Sequence, residues 1–242
     1  MKPDAAPQSF FIGWDVGGWN CDRNGSSRDA VVILDDKLAV HGTPWRGNLR
    51  QCIAASKDTR DWLKTLFAKC AAHYPETAPS ITMAIDTPLG FPNEFLRLIA
   101  RQGFVEPHET SGLNRYLFRY TERYLFEHGK TPLSAIKDMI GSQATKGMHV
   151  LAKFAPRTES CGVWTDGQAF RVIETYPAAC CDTKPVSDYL ACQPSLGHDD
   201  KNDARICALI ANLFETQPAI LEQPPADVPA GEGWIWVPKT DA

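Results

Sequence analysis

Residues 10–18 read FFIGWDVGG: an apolar run with an aspartate near its end and a glycine pair that stops it. A short apolar run closed by turn residues reads as a buried β-strand, and Asp15 then lies near the carboxyl end of that strand. The same pattern recurs downstream. Ile81 to Asp86 is apolar and ends in an aspartate before Thr-Pro-Leu-Gly, and Ala169 to Thr175 carries Glu174 near its end. Between the first two runs, AVVIL at 30–34 reads as a second strand. Asp35-Asp36-Lys37 is a turn, and Leu38 to His41 returns as an antiparallel partner. From Thr59 to Ala72, the residues Trp62, Leu63, Leu66, Phe67 and Cys70 recur at helical spacing.

The second half of the chain changes character. Helical periodicity appears over 95–102, 113–128 and 134–154, with glycine- and proline-rich joints between. Strands resume at 162–164 and 169–175 around a Thr165-Asp166-Gly167 turn. A last helix is expected over about 201–214, followed by a short apolar strand at Trp234 to Val237. The order of elements predicts an α/β fold, a mixed sheet flanked by helices and interrupted once by a helical insertion at 92–157.

The 242 residues carry a net charge of −4, 43% hydrophobic and 22% charged side chains, and seven tryptophans. This composition excludes a disordered chain and provides for a core without disulfides. No apolar run approaches the ~20 residues of a membrane helix, and MKPDAAPQSFF lacks the layout of an export signal. A cytoplasmic protein without a membrane partner is therefore expected. Its eight cysteines, at 21, 52, 70, 161, 180, 181, 192 and 207, then read as reduced thiols. The spacing of Cys180, Cys181, Cys192, His198 and Cys207 matches no common zinc module.

The carboxylates carry the chemistry. Asp15, Asp86 and Glu174 close strands, while Asp200 and Asp203 open the last helix in HDDKNDA. Sites in open α/β sheets form beyond the carboxyl ends of strands. Taken singly, each acid has a structural explanation. Asp199 or Asp200 can cap the helix, Asp203 suits the positive end of its dipole, and Asp86 can close a turn. Gathered at one edge, they repel one another unless a cation intervenes, and hard divalent ions take oxygen ligands. Asp200 and Asp203, three residues apart, can share a helix face and reach one ion together.

The ordered set GWDVGG, AIDTPLG, VIETYP, DDKNDA and GWIWVP, spanning residues 12 to 238, resembles a family of predicted RNase H-like nucleases of unknown function. The start of the last helix is similar to that of RuvC-type resolvases. The resemblance implies one RNase H-like domain over 8–242. Its five-stranded sheet would set strands one and four side by side, bringing Asp15 and Asp86 together, with the insertion between strands four and five. It implies Asp15, Asp86, Asp200 and Asp203 as ligands of two Mg²⁺ or Mn²⁺ ions. Glu174 joins them as a catalytic residue from the nuclease family's own motif, and phosphodiester hydrolysis in DNA or RNA is the implied activity.

The mild acidity of the whole chain conceals an asymmetry. Residues 97–157 hold ten basic and five acidic side chains, and the remainder carries an excess of nine negative charges. Arg115, Arg119 and Arg123 recur every fourth residue and, with Lys146, are candidates for holding nucleic-acid phosphates. Tyr116, Tyr120 and Tyr124 form a neighbouring stripe. Ordinary amphipathicity equally permits core tyrosines and a solvated arginine edge. Two other functions remain open. Asp15-Val16-Gly17-Gly18 could be the first phosphate loop of an actin-like kinase or ATPase, although no second loop follows. A non-catalytic nucleic-acid-binding scaffold is the other, and clustered carboxylates argue against it.

Overall fold

A computed structural model describes residues 8–106 and 111–240. Glu109 of the insertion and the last two residues of the 8–242 unit lie outside the described residues. In chain order, β1 (Ser9–Asp15), β2 (Asp29–Leu34) and β3 (Trp45–Gly47) precede α1 (Arg50–Ala55) and α2 (Thr59–Lys69). β4 (Ser80–Asp86) leads into α3 (Asn93–Ile99), α4 (Tyr120–Glu127) and α5 (Gly141–Phe154). β5 (Arg157–Ser160), β6 (Val163–Thr165) and β7 (Phe170–Glu174) follow. The last helices are α6 (Pro177–Cys180), α7 (Lys184–Ala191) and α8 (Asp199–Thr216).

The strands form one mixed sheet of seven, not five, in the order β3-β2-β1-β4-β7-β6-β5. β1, β4 and β7 run parallel at its centre, and the strands on either side join antiparallel. The adjacency of β1 and β4 is present, with Asp15 directly opposite Asp86. The two extra strands are short. β5 lies at the end of the stretch read as helical, and its four exposed residues, Arg-Thr-Glu-Ser, carry no apolar signal. The expected return strand at 38–41 reduces to a single bridge between Leu34 and Val40, and Trp45–Gly47 takes its place. The closing Trp234–Val237 run likewise makes only a bridge, Ile235 to Glu174.

Alternation along the strands divides the core in two. Phe10, Ile12 and Trp14 face α1, α2 and α5, where the Trp62 and Phe154 rings stack at 5.2 Å. Phe11 and Ala84 face α8 and the closing segment with Trp234 and Trp236. The inserted helices are thus part of the fold: Val150, Leu151 and Phe154 of α5 fill one core, and Leu125 of α4 the other.

α8 crosses the sheet closely because small residues meet. A Cβ placed on Gly13 would lie 1.7 Å from the Ala204 carbonyl oxygen and 2.4 Å from the Ala208 nitrogen. Gly13→Ala must therefore push α8 away from β1. A loss of about 3 kcal/mol or more is expected in denaturant unfolding; a loss below about 1 kcal/mol would show that this contact is not close-packed.

Candidate functional site: a carboxylate trio at the strand ends

Asp15 and Asp86 end neighbouring parallel strands in register, and period-two alternation turns both toward α8. Asp203 enters from the first turns of that helix. Its N-cap is His198, whose Nδ1 accepts from the Asp200 backbone N–H at 3.2 Å, in place of the expected aspartate cap. Asp15, Asp86 and Asp203 are each half-buried. Burial, then Asp86, Asp200, Asp203 and Asp29, push the Asp15 carboxyl far above the usual carboxylate range. Burial, then Asp203 and Glu174, do the same to Asp86. Burial, then Asp199 and Asp200, push Asp203 up to about 6. Asp15 and Asp86 line a small cleft of about 170 Å³. Pro132, Leu133, Ile140 and Gln143 of the insertion form one of its walls.

Asp200 and Glu174 are held by basic partners, although Glu174 also lines the cleft beside Asp86. The Asp200 carboxylate accepts from Arg46 Nε at 2.7 Å and from the Arg28 backbone N–H at 3.0 Å, fastening the start of α8 to the β2–β3 edge. Its charge nonetheless acts on Asp15 and Asp203, raising the pKa of both. Glu174 pairs with Ile85, one residue before Asp86, so it leaves the opposite face of the sheet. There it receives both terminal nitrogens of Arg119, at 2.8 and 2.5 Å, and the Leu89 N–H at 2.8 Å.

Two of the expected nucleic-acid contacts are interior residues. Arg119 is 1% exposed. It also bonds Glu122 through Nε and the Glu232 carbonyl through Nη1. Burial disfavours its charge, but Glu122 and Glu174 outweigh that cost and hold the guanidinium protonated. Lys146 is 0% exposed and forms an ion pair with Asp29, while also donating to the Gly17 carbonyl at 3.2 Å. The regular arginine stripe does not form, because α4 begins only at Tyr120. Arg115 is exposed ahead of the helix. Arg123 is half-buried, with its guanidinium over the Tyr120 ring at 5.6 Å. The tyrosines are partly buried and engaged: Tyr116 with the Val105 backbone, Tyr120 with Asp227, and Tyr124 with Glu222.

Sequence reasoning passed over Asp29, which is fully buried. Beyond Lys146 it accepts from Trp14 Nε1 and the backbone N–H groups of Gly17 and Leu49. Burial raises its pKa and Lys146 pulls it back. It therefore anchors the loop that follows Asp15 onto α5. Thr87 was also missed: 4% exposed, it lines the cleft next to Asp86, and its Oγ1 has no hydrogen-bond partner. The α5 backbone packs tightly here, since a Cβ on Gly147 would lie 2.6 Å from the Thr87 methyl.

All eight cysteines are free, and burial pushes Cys180 up to about 12, so it stays a neutral thiol. Among the described residues no three His, Cys, Asp or Glu side chains already converge as a metal-binding group. No helix there is long and apolar enough to cross a membrane. No protein-family model matches the chain, and neither the characterised proteins nor the solved structures compared with it give a match.

Proposed function

We propose that this chain is a divalent-metal-dependent nuclease with an RNase H-like sheet, and that Asp15, Asp86 and Asp203 are its metal-holding residues. The observation that carries the reading is the opposition of Asp15 and Asp86 at the ends of central parallel strands, with Asp203 brought over them by α8. The donor set suits Mg²⁺ or Mn²⁺: hard carboxylate oxygens on rigid elements, disfavoured as uncompensated anions by burial and by one another. Because they do not already converge as a cage, binding requires side-chain movement. The chemistry such ions supply is Lewis acidity, lowering the pKa of the attacking water and neutralising the departing oxygen.

The protein's own residues prepare the site around this trio. Arg46 and Asp200 fix the first turn of α8, and hence the approach of Asp203. Arg119 and Glu174 hold the Leu89 amide, and with it the loop after Asp86. The Thr87 hydroxyl beside Asp86 is buried without a hydrogen-bond partner, so it could donate to Asp86 or to a bound group only after a side-chain movement. The phosphate-loop alternative is less well supported, because Gly17 spends its N–H on Asp29 and its carbonyl on Lys146.

The test is a manganese titration followed by calorimetry, run beside digestion of labelled DNA and RNA. Wild-type protein should bind Mn²⁺ and cleave only in its presence, and Asp86→Asn should do neither. Unchanged binding or cleavage in that variant overturns the assignment, and ATP hydrolysis without cleavage would favour the phosphate-loop alternative.

A further inference from the structure

The carboxylate cleft does not end at the trio. Tyr176 lines it and also lines a second depression of about 530 Å³, and Thr131 of the second directly precedes Pro132 of the first. The two adjoin at Tyr176 and together can form the halves of one channel. Their linings differ in kind. The first half pairs the acids with apolar walls, among them Pro88, Leu133 and Ile235. The second is more polar, lined by Lys130, Thr131, Lys184 and Ser187, with Asp182 as its one acid, so its lysines outnumber its carboxylates two to one. Lys184 is exposed, and Lys130 is half-buried with Nζ on the Ala179 carbonyl at 2.9 Å.

We propose that this channel takes a single strand of nucleic acid, with backbone phosphates along the Lys130–Lys184 half, a base against Tyr176, and the scissile bond over the trio. The assignment rests on the nuclease reading and narrows its substrate. Apolar walls and an aromatic ring suit an unstacked base, since every base has a face to stack. Two lysines and hydroxyls suit phosphates, which position a strand without reading its sequence. A duplex suits neither half. It is a stiff rod with a persistence length of ~50 nm and its bases stacked inside, so it offers the apolar walls and Tyr176 no unstacked base. A flexible strand can enter. The arginine stripe expected on the insertion is not needed, since the basic groups that line the channel are others.

Fluorescence anisotropy with a labelled 12-nucleotide oligothymidylate, against a hairpin duplex of matched length, tests the assignment on the full-length Asp86→Asn protein. The single strand should bind at least tenfold more tightly than the duplex. Lys130→Glu with Lys184→Glu should weaken strand binding at least tenfold and make its salt dependence shallower by ~1.4 logarithmic units per decade of salt, the share of two phosphate contacts. Lys184→Glu alone, at an exposed position, should still cost about threefold if one phosphate contact is lost. Tyr176→Ala should cost about tenfold by removing the stacking surface. Lys64→Glu on the exposed side of α2 should change nothing. In the wild type, strand cleavage should outpace duplex cleavage.

Duplex or four-way-junction cleavage as fast as strand cleavage, still abolished by Asp86→Asn, would leave the nuclease reading standing and overturn the channel. Unchanged strand affinity in the lysine variants would do the same. Absence of metal-dependent cleavage on every substrate would remove the nuclease reading, and the channel with it.

Discussion

Replacing Arg119 with methionine should destabilise the protein by about 3–5 kcal/mol, the range for stranding the partners of a buried ion pair. For a chain of this size that lowers the melting temperature by roughly 10 °C. The guanidinium bonds both Glu122 and Glu174, and it also holds the Glu232 carbonyl. Without it two buried carboxylates face each other across an apolar volume. Burial already pushes Glu122 up to about 6, with Arg119 opposing that shift. In the variant Glu122, no longer opposed by Arg119, should hold its proton to higher pH in the folded state, so stability should fall more steeply as pH rises from 5 to 8. Arg115→Ala, at an exposed position, should stay within about 0.5 kcal/mol. Guanidinium unfolding at two pH values separates these outcomes. Equal stability of wild type and Arg119→Met would mean that the pair contributes nothing.

Asp86→Asn should act in opposite directions on stability and on activity. Cleavage should fall at least about 10³-fold if this carboxylate holds a metal required for charge stabilisation. Folding should become more favourable. The folded-state pKa values of Asp15, Asp86 and Asp203 are all raised, so the native protein holds protons that the unfolded chain releases. Stability is then greatest near pH 4, where the unfolded acids begin to titrate, and declines as pH rises through the folded values. The decline between pH 4 and 8 should be about 2–4 kcal/mol in metal-free buffer, and the asparagine should remove a large part of it. Mn²⁺ at about 100 times its dissociation constant should restore about 2.7 kcal/mol to the wild type and nothing to the variant. Thermal melts across pH, with and without Mn²⁺, read both effects. Parallel pH profiles for wild type and Asp86→Asn would remove the carboxylate repulsion from the account.

What was legible in the sequence follows from how local each signal is. Asp15 and Asp86 close apolar runs before turn residues, and a strand-end position follows from those few residues alone. α8 was legible because its apolar spacing runs over several turns. Glu174 looked equivalent to the two aspartates, yet its pairing with Ile85 turns it to the other face. A difference of one residue in register leaves no mark on either strand's composition. Arg119 and Lys146 were read as surface charges because a deciding buried partner is distant in sequence: Glu174 is 55 residues from Arg119, whose other partner Glu122 looks like an ordinary helix-surface pair, and Asp29 is 117 residues from Lys146. β5, α1 and α7 are too short to display a period. The count of five came from the resemblance; the residues themselves read a strand at 162–164, where β6 lies, and missed only the four-residue β5 and the three-residue β3.

The Lys146–Asp29 pair also has a consequence for how this architecture can be cut and recombined. The helices between β4 and β5 resemble a detachable module, of the kind exchanged to redirect specificity. Excising them would strip the stacked ring of Phe154 from Trp62 and leave Asp29 as a buried anion beneath the loop carrying Asp15. A minimal sheet made by deletion would therefore need a neutral residue at position 29. A donor segment grafted in its place must bring its own cation to the equivalent of position 146. Any lineage that shortened this segment faced the same pairing constraint, so the two positions should change together or not at all.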